Sequence, residues 1–576
     1  MTAASLRRVL LVGVPIGLLV LAAVLRLPDL VTRGTWDSDQ GHDMLMLRAL
    51  ARDGVLPLLG PPTSIGDVHH GALYYYLLSP AAFLTGGDSP LAVVALIALA
   101  GIAAVIVTWW LAREIGGPVA GLVAGLAMAV SASAVDESTF IWNPNLIALS
   151  SAVALAGAWR AWSTGRPRWW LLAGLGAAVT MQCHVLGVAL LPIVGGLLVA
   201  DARSRPSGPE RRAVWRFGLA ALAIVALSFL PLVVHELTND FSEIGAALDY
   251  LRGGGDPTAI GPIGRLLIIG VRVASWPLSG LLTDAPIAAL VGTAAVIAIA
   301  IWCGAFGATW ERQAARWLGL GLLWTAGFLT FASPSLATIV PGLPNDHYHA
   351  FADPMVFTLV GMGAAVLWRG GRARAPGGGP TTERPARAAL AAAVAPTTGT
   401  GAPNVAETGA PALAAVAGTA VVTPDPPGAS RRLMTGRILA VAGIIGLVAF
   451  NLARQPPGLH PDGGFPGADR AAARIMAAGG DRLTIRSLPD FKSTEAYGYP
   501  LIRAGASVIV DAGSGSVAAT SGALVIVCDS LYATAIGAPC GGPAEAIVAP
   551  PERFGEPLDR FEAAPGRTIS VYRATN

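Results

Sequence analysis

Apolar runs of bilayer-spanning length recur along this chain as far as residue 450, and they leave it few ways to fold. A helix needs about 20 apolar residues to cross the hydrocarbon layer, and inside that layer its backbone polar groups must be satisfied within the segment. Runs of this kind stand at 9–25, 91–111, 118–135, 146–162, 217–234, 285–306, 317–331, 351–368 and 438–450. Composition agrees: 53% of the 576 residues are hydrophobic and only 13% charged, where a soluble domain carries about 25% charged residues. The chain reads as an integral, multi-pass membrane protein. The first run follows Arg7 and Arg8 with no small-x-small cleavage site behind it, so it reads as a retained helix and not a signal peptide. The net charge of +3 is carried almost wholly by arginine, with Lys492 the single lysine and no polybasic tract, which argues against a nucleic-acid partner.

Arginine placement orients the spans. The stretch 169–200 is too long for one helix, and the loops flanking it, Arg166 with Arg168 and then 203–216, are both Arg-rich. Positive loops stay cytoplasmic, so an even number of crossings separates them, with "QCH" (182–184) as an outer turn. The stretch 261–282 lies between an acidic loop (236–256) and a basic one (Arg312, Arg316), and reads as an interfacial segment. About eleven crossings follow, with the N-terminus inside and the C-terminus outside.

The predicted organisation is a transmembrane module (1–372), a Pro/Ala/Gly-rich cytoplasmic linker expected to be disordered (373–430), a last transmembrane helix (431–453) and an extracytoplasmic α/β domain (454–576). In that tail "ADRAAARIMAAGG" has helical spacing, and "RLTIRS", "ASVIVD", "ALVIVC" and "RTISVYR" read as strands. An oxidising exterior would permit Cys528 and Cys540 to pair, while Cys183 and Cys303 sit in apolar runs as packing residues. The glycine-rich "GSGSVAAT" (513–520) follows no nucleotide-binding pattern and reads as a loop.

On this topology the unusual polar side chains collect at outer helix ends. Asp37, Asp39, His42 and Asp43 follow the first crossing, and His69 and His70 close the same loop before Tyr74, Tyr75 and Tyr76. Asp136, Glu137, Asn143 and Asn145 lie between crossings three and four; Gln182 and His184 form the outer turn; His235, Glu236, Asp346, His347, Tyr348 and His349 complete the set. Helix ends are polar in any membrane protein, but charges beside the bilayer are costly unless they reach water or serve a site. "DSDQGHDMLMLRALARDG" has the spacing of an interfacial helix with acids at its start. Asp37 is equally a plain N-cap.

An acidic motif just after the first helix, then "LPLLGPPTSIGDVHHGALYYYLLSP" (56–80), "FIWNPNLIAL" (140–149) and "QCH", resembles the GT-C glycosyltransferases that use polyprenyl- or dolichyl-phosphate sugars. These include the protein O-mannosyltransferases and lipid A aminoarabinose transferases of the family 39 and 83 type. The resemblance covers about the first two hundred residues by motif, and the rest by topology. It implies an all-α polytopic catalytic module with interfacial helices in its first outer loop, beside which the α/β tail is an addition. By position it makes Asp39 the catalytic acid, and puts Gln40 where a second acid is usual and His42 where an arginine is often found; Asp37, two residues earlier, is the second candidate for the catalytic role. It places His70 at the contact to the carrier phosphate and the tyrosines along the carrier's entry.

The chemistry asks for these residue types without the name. Sugar transfer from a lipid phosphate needs a carboxylate to take the acceptor's proton and donors to hold the departing phosphate. Asp39 suits the first task; His70, Arg48, Arg265, Arg272, His347 and His349 suit the second. The reading is an inverting transferase moving a sugar from a polyprenyl-phosphate-linked donor to a hydroxyl of an envelope glycan, lipid or secreted protein, at the outer face of the plasma membrane. A glycan ligase or polymerase of similar shape, and a transporter or flippase, are the alternatives. No cofactor is required by this chemistry. The carboxylates and histidines on one face could hold a divalent metal, although no spaced motif such as His-Glu-x-x-His occurs.

Overall fold

The structure, a computed structural model, describes residues 3–63, 68–252, 260–338, 347–370, 429–489, 493–511, 516–517, 520, 522–530 and 539–574. The expected linker lies outside the described residues up to 428, as do Asp346 and most of 513–520. The first helix, α1 (Ala3–Arg26), leads into a short helix, α2 (Ser38–Arg48), and a small antiparallel hairpin of β1 (Leu59–Pro62) and β2 (His69–Gly71). There follow α3 (Leu73–Thr85), α4 (Pro90–Gly116), α5 (Pro118–Val130), α6 (Ala132–Asp136), α7 (Ile147–Thr164), α8 (Trp169–Cys183) and α9 (Leu190–Arg203). Next come α10 (Pro209–Ser228), α11 (Leu230–Thr238), α12 (Ser242–Arg252), α13 (Pro262–Ser279), α14 (Pro286–Phe306), α15 (Thr309–Ala332), α16 (Asp353–Trp368) and α17 (Ala429–Leu452). Local chemistry sets several starts: Ser89 caps α4 with Pro90 in the first turn, and prolines open α5, α10, α13 and α14, where a missing N–H costs nothing.

Among the described residues six helices are long and apolar enough to cross a membrane: Pro90–Gly116, Asn143–Thr164, Val185–Arg203, Pro286–Phe306, Ala350–Trp368 and Leu433–Leu452. The pair α10 and α11, bent by 44°, adds a seventh if it is one span. This chain is a multi-pass membrane protein, but the count of eleven is not reached by this measure. The expected runs at 9–25, 118–135 and 169–183 give only shorter apolar helical stretches, Val12–Arg26 within α1, Pro118–Val130 and Trp169–Cys183, and the run at 317–331 is the apolar part of α15, whose first turns carry Glu311, Arg312 and Arg316. The stretch 169–200 does break at its centre: His184 is extended, and Gly187 comes back against Thr180, whose carbonyl oxygen would lie 2.7 Å from a Cβ placed there. Leu433–Leu452 is only 11% buried and Pro286–Phe306 only 22%, as faces turned to lipid require.

The two polar ends of the bundle differ. At the end read as cytoplasmic, acids are matched by arginines, Glu114 with Arg160, Asp201 with Arg205 at 3.0 Å and Glu311 with Arg369 at 2.5 Å. The opposite end carries the acids, imidazoles and tyrosines.

The tail folds as α18 (Gly464–Gly479), β3 (Arg482–Leu488), α19 (Thr494–Arg503), β4 (Ser507–Val510), β5 (Ala523–Asp529), α20 (Pro543–Val548), α21 (Pro551–Phe554), β6 (Asp559–Ala564) and β7 (Arg567–Tyr572). Its sheet runs β4-β3-β5-β7-β6, the first three strands parallel and the last two antiparallel. Period-two alternation puts Val525, Val527, Ile569 and Val571 in one core with Ile475, Tyr497 and Leu501, and that core is continuous with Trp36, Met44, Leu47, Tyr74, Tyr75 and Leu78 of the first outer loop. The opposite sheet face gathers Leu524, Ile526 and Phe554, with Cys528 and Cys540 joined in a disulfide.

Candidate active site

The acidic turn of α2 distributes its side chains to different surroundings. Asp37 caps the helix in a capping box with Gln40 and also accepts from Arg567 of β7 at 2.9 Å, the guanidinium being shared with buried Asp529. Gln40, itself buried, accepts from the Asp37 N–H at 2.7 Å and donates to the Ile141 carbonyl at 2.7 Å, tying α2 to the loop between α6 and α7. Asp39 is exposed on the first turn. Asp43 lies one turn further on the same face and is 1% exposed, accepting from the Tyr74 hydroxyl at 2.7 Å and the Tyr75 hydroxyl at 2.9 Å. Burial pushes its carboxyl up to about 7, against His42 and the two tyrosine hydrogen bonds and with help from the charge of Asp39. His42 meets Glu495 of α19 at 2.9 Å; burial works downward on its imidazole, but Glu495, Asp43 and Asp39 outweigh it, so it titrates above its ordinary value.

The hairpin before α3 carries the two adjacent histidines apart. His69 pairs with Glu243 of α12 at 2.8 Å. His70 is buried, its ring 4.5 Å from that of His184, and its Nδ1 accepts from the Val185 N–H at 3.4 Å. Burial, with the nearby His69, lowers its pKa to about 3, so it is a neutral imidazole that keeps its proton on Nε2. His184 takes the same form, with Nδ1 accepting from Leu186 N–H at 3.2 Å. Gln182 accepts from the Leu73 N–H at 3.3 Å, and Asn143 donates to the Cys183 carbonyl, so the outer turn is held to both neighbouring loops. Asn145 donates to the Phe140 carbonyl at 2.8 Å.

Tyr348 stacks on His184 at 4.4 Å and lies 6.0 Å from Trp142, extending the row of rings that begins at His70. Behind it His347 sits between Glu137 and Asp353, while His349 is wholly buried beside Trp276. Arg272 lies over the Trp276 ring at 5.3 Å and donates to the Leu336 carbonyl at 2.8 Å. The structure therefore brings together residues of four segments between helices. It does not bring Arg48 to them: that side chain ends α2 and pairs with Asp88, alongside Arg52. Arg265 lies two turns before Arg272 on α13, nearer the start of that helix. Among the described residues His235 bonds locally, to Ser242 at 3.2 Å and to Asn239, and Glu236 caps α12 through the Glu243 and Ile244 N–H groups. Sequence reading passed over Asp353 because it opens an apolar run; its signal was the one-turn spacing from His349. Glu495 and Arg567, which clasp α2 from the tail, carried no local signal.

The architecture, a membrane bundle in which an acid-led helix follows the first helix and the tail domain packs on it, is of the GT-C fold type. Residues 69–231 match the family model described as dolichyl-phosphate-mannose-protein mannosyltransferase. Among solved structures the chain is similar to ArnT from Cupriavidus metallidurans in the apo state, at 13% identity over 99% of this chain and 98% of that one, with a TM-score of 0.53. The same ArnT bound to undecaprenyl phosphate matches at 12% identity over 99% and 98% of the chains, with a TM-score of 0.49. The archaeal oligosaccharyltransferase AglB from Archaeoglobus fulgidus, in complex with an inhibitory peptide and a dolichol-phosphate, matches at 13% identity over 88% of this chain and 65% of that one, with a TM-score of 0.42. No curated protein matches the chain in sequence. The GT-C resemblance read from the sequence stands.

Proposed function

We propose that the chain is an inverting glycosyltransferase that moves a sugar from a polyprenyl-phosphate carrier to a hydroxyl of a cell-envelope glycan, lipid or secreted protein at the outer membrane face. The observation that carries this reading is Asp39: an exposed carboxylate on the first turn of an interfacial helix, fixed by a capping box and by ties to the loop before α7 and to strand β7. Asp39 takes the proton of the acceptor hydroxyl as its oxygen attacks the anomeric carbon from the face opposite the phosphate. The bond from that carbon to the phosphate oxygen breaks, and its electron pair leaves with polyprenyl phosphate. Neutral His70 and His184 supply Nε2–H donors to the departing phosphate, and Tyr348 and Trp142 offer ring faces to the sugar. Asp43 holds Tyr74 and Tyr75 where the carrier enters.

Purified protein in lipid nanodiscs, incubated with a panel of radiolabelled polyprenyl-phosphate sugars and an envelope extract, should transfer label from one of them. His70→Ala should weaken donor binding and leave acceptor affinity unchanged. Unchanged donor affinity would reduce His70 to a packing residue of the hairpin.

A further inference from the structure

Glu137, His347, His349 and Asp353 form a second polar cluster, behind Tyr348, for which the transfer chemistry needs no step. We propose that His347, His349 and Asp353 bind a divalent transition-metal ion of the zinc class, with Glu137 orienting His347. One ligand atom from each of the three lies within 4.8 Å of the others, and the residues are 1%, 0% and 2% exposed. Bonds of about 2 Å to a tetrahedral ion would need only a modest closure of these side chains.

His349 gives the independent observation. Both of its ring nitrogens are buried and without a hydrogen-bond partner among the described residues. A buried polar group left in that state costs free energy that an ion would recover. His347 has the arrangement found around bound metals: Glu137 occupies the Nδ1 side, which leaves Nε2 facing Asp353 at 3.3 Å. A carboxylate on the far nitrogen fixes the ring and raises its basicity as a ligand. Glu137 is itself positioned by the Trp276 indole N–H at 3.1 Å, and the Trp276 ring stacks on His347 at 4.7 Å. His349 and Asp353 are four residues apart, so the turn that opens α16 presents them together. Two imidazoles and one carboxylate favour zinc-class ions over magnesium or calcium, which prefer oxygen sets. The other grouping of this type among the described residues, Cys528, Cys540 and Glu545, has both its sulfurs in the disulfide.

The test uses full-length protein in detergent, freed of any polyhistidine tag and stripped with a chelator. Zinc uptake is counted by mass spectrometry after equilibrium dialysis, and cobalt is added separately to read its visible absorption. The expected result is one ion per chain, a cobalt spectrum of low coordination number, at least about 100-fold weaker binding in His349→Ala and Asp353→Asn, and about 10- to 100-fold weaker binding in Glu137→Gln. His235→Ala should leave the ion in place. Absence of a stoichiometric ion in the wild-type protein, or retention of it at full affinity by both ligand variants, overturns the proposal. Should those variants fail to fold, the wild-type stoichiometry and cobalt spectrum decide it. Because binding is what is read, the outcome is separate from whether sugar transfer is found.

Discussion

Within α2, neighbouring carboxylates differ because the helix turns each to a different environment. Asp43 has its carboxyl displaced upward to about 7 by burial, so the folded state binds its proton more tightly than the unfolded chain does. The stability linked to that proton is full below the ordinary carboxylate value of 3.8 and is lost as pH rises through about 7. Each pH unit of the displacement is worth about 1.4 kcal/mol. Asp43→Asn keeps an oxygen for the tyrosine hydroxyls and never ionises, so it should unfold at a higher temperature than wild type above pH 7, with the difference shrinking towards pH 5. A difference independent of pH would contradict the assignment. Asp37→Ala removes a cap and one partner of Arg567, and should cost about 1–2 kcal/mol, measurable as a lower melting temperature in detergent. The sequence showed Asp37 as a cap candidate and Asp39 as an acid in a familiar place. It could not show that Arg567, 530 residues away, would share Asp37, because a pairing at that distance has no local signature.

Among elements, the contact of α2 with α19 decides how the tail sits. Gly41 faces the α19 backbone so closely that a Cβ would collide with the Glu495 carbonyl oxygen and carbon and the Ala496 nitrogen. Backbone atoms cannot rotate aside, so Gly41→Ala should lift the tail from the loop and lower transfer, even though it alters no reacting group. Limited proteolysis should then release the tail domain faster than from wild type; an unchanged digestion pattern with full activity would show that α19 accommodates the methyl group. Apolar strands β3, β4, β5 and β7 were legible from their run of Val, Ile and Leu. Strand β6, "DRFEAA", was not, since an edge strand needs only one buried residue in its middle, Phe561. The break at His184 was legible because the stretch 169–200 is too long for one helix and lies between two Arg-rich loops, which demand an even number of crossings. The same rule gives a labelling prediction: an impermeant thiol reagent on intact cells should modify Glu556→Cys and spare Ser207→Cys, both exposed positions. The reverse pattern would invert the topology and remove the acid-led loop from the outer face.

At the scale of the whole molecule, one hydrophobic core joins the tail sheet to α2 and α3, so the tail is part of the wall of the candidate site and not a separate appendage. Class and membrane character were legible because they follow from apolar length and from a few motifs near the start. The closure of the tail over α2 was not, since it depends on surface complementarity between segments separated by most of the chain. The central claim is that Asp39 is the base of a sugar transfer from a lipid phosphate. The most direct measurement is single-turnover transfer of a radiolabelled sugar from polyprenyl phosphate in nanodiscs by wild type and Asp39→Asn, with donor binding followed in parallel. Asparagine cannot take the acceptor proton, so the rate should fall by about 10²- to 10⁴-fold while donor affinity stays close to that of wild type. Transfer by Asp39→Asn at the wild-type rate would contradict the account.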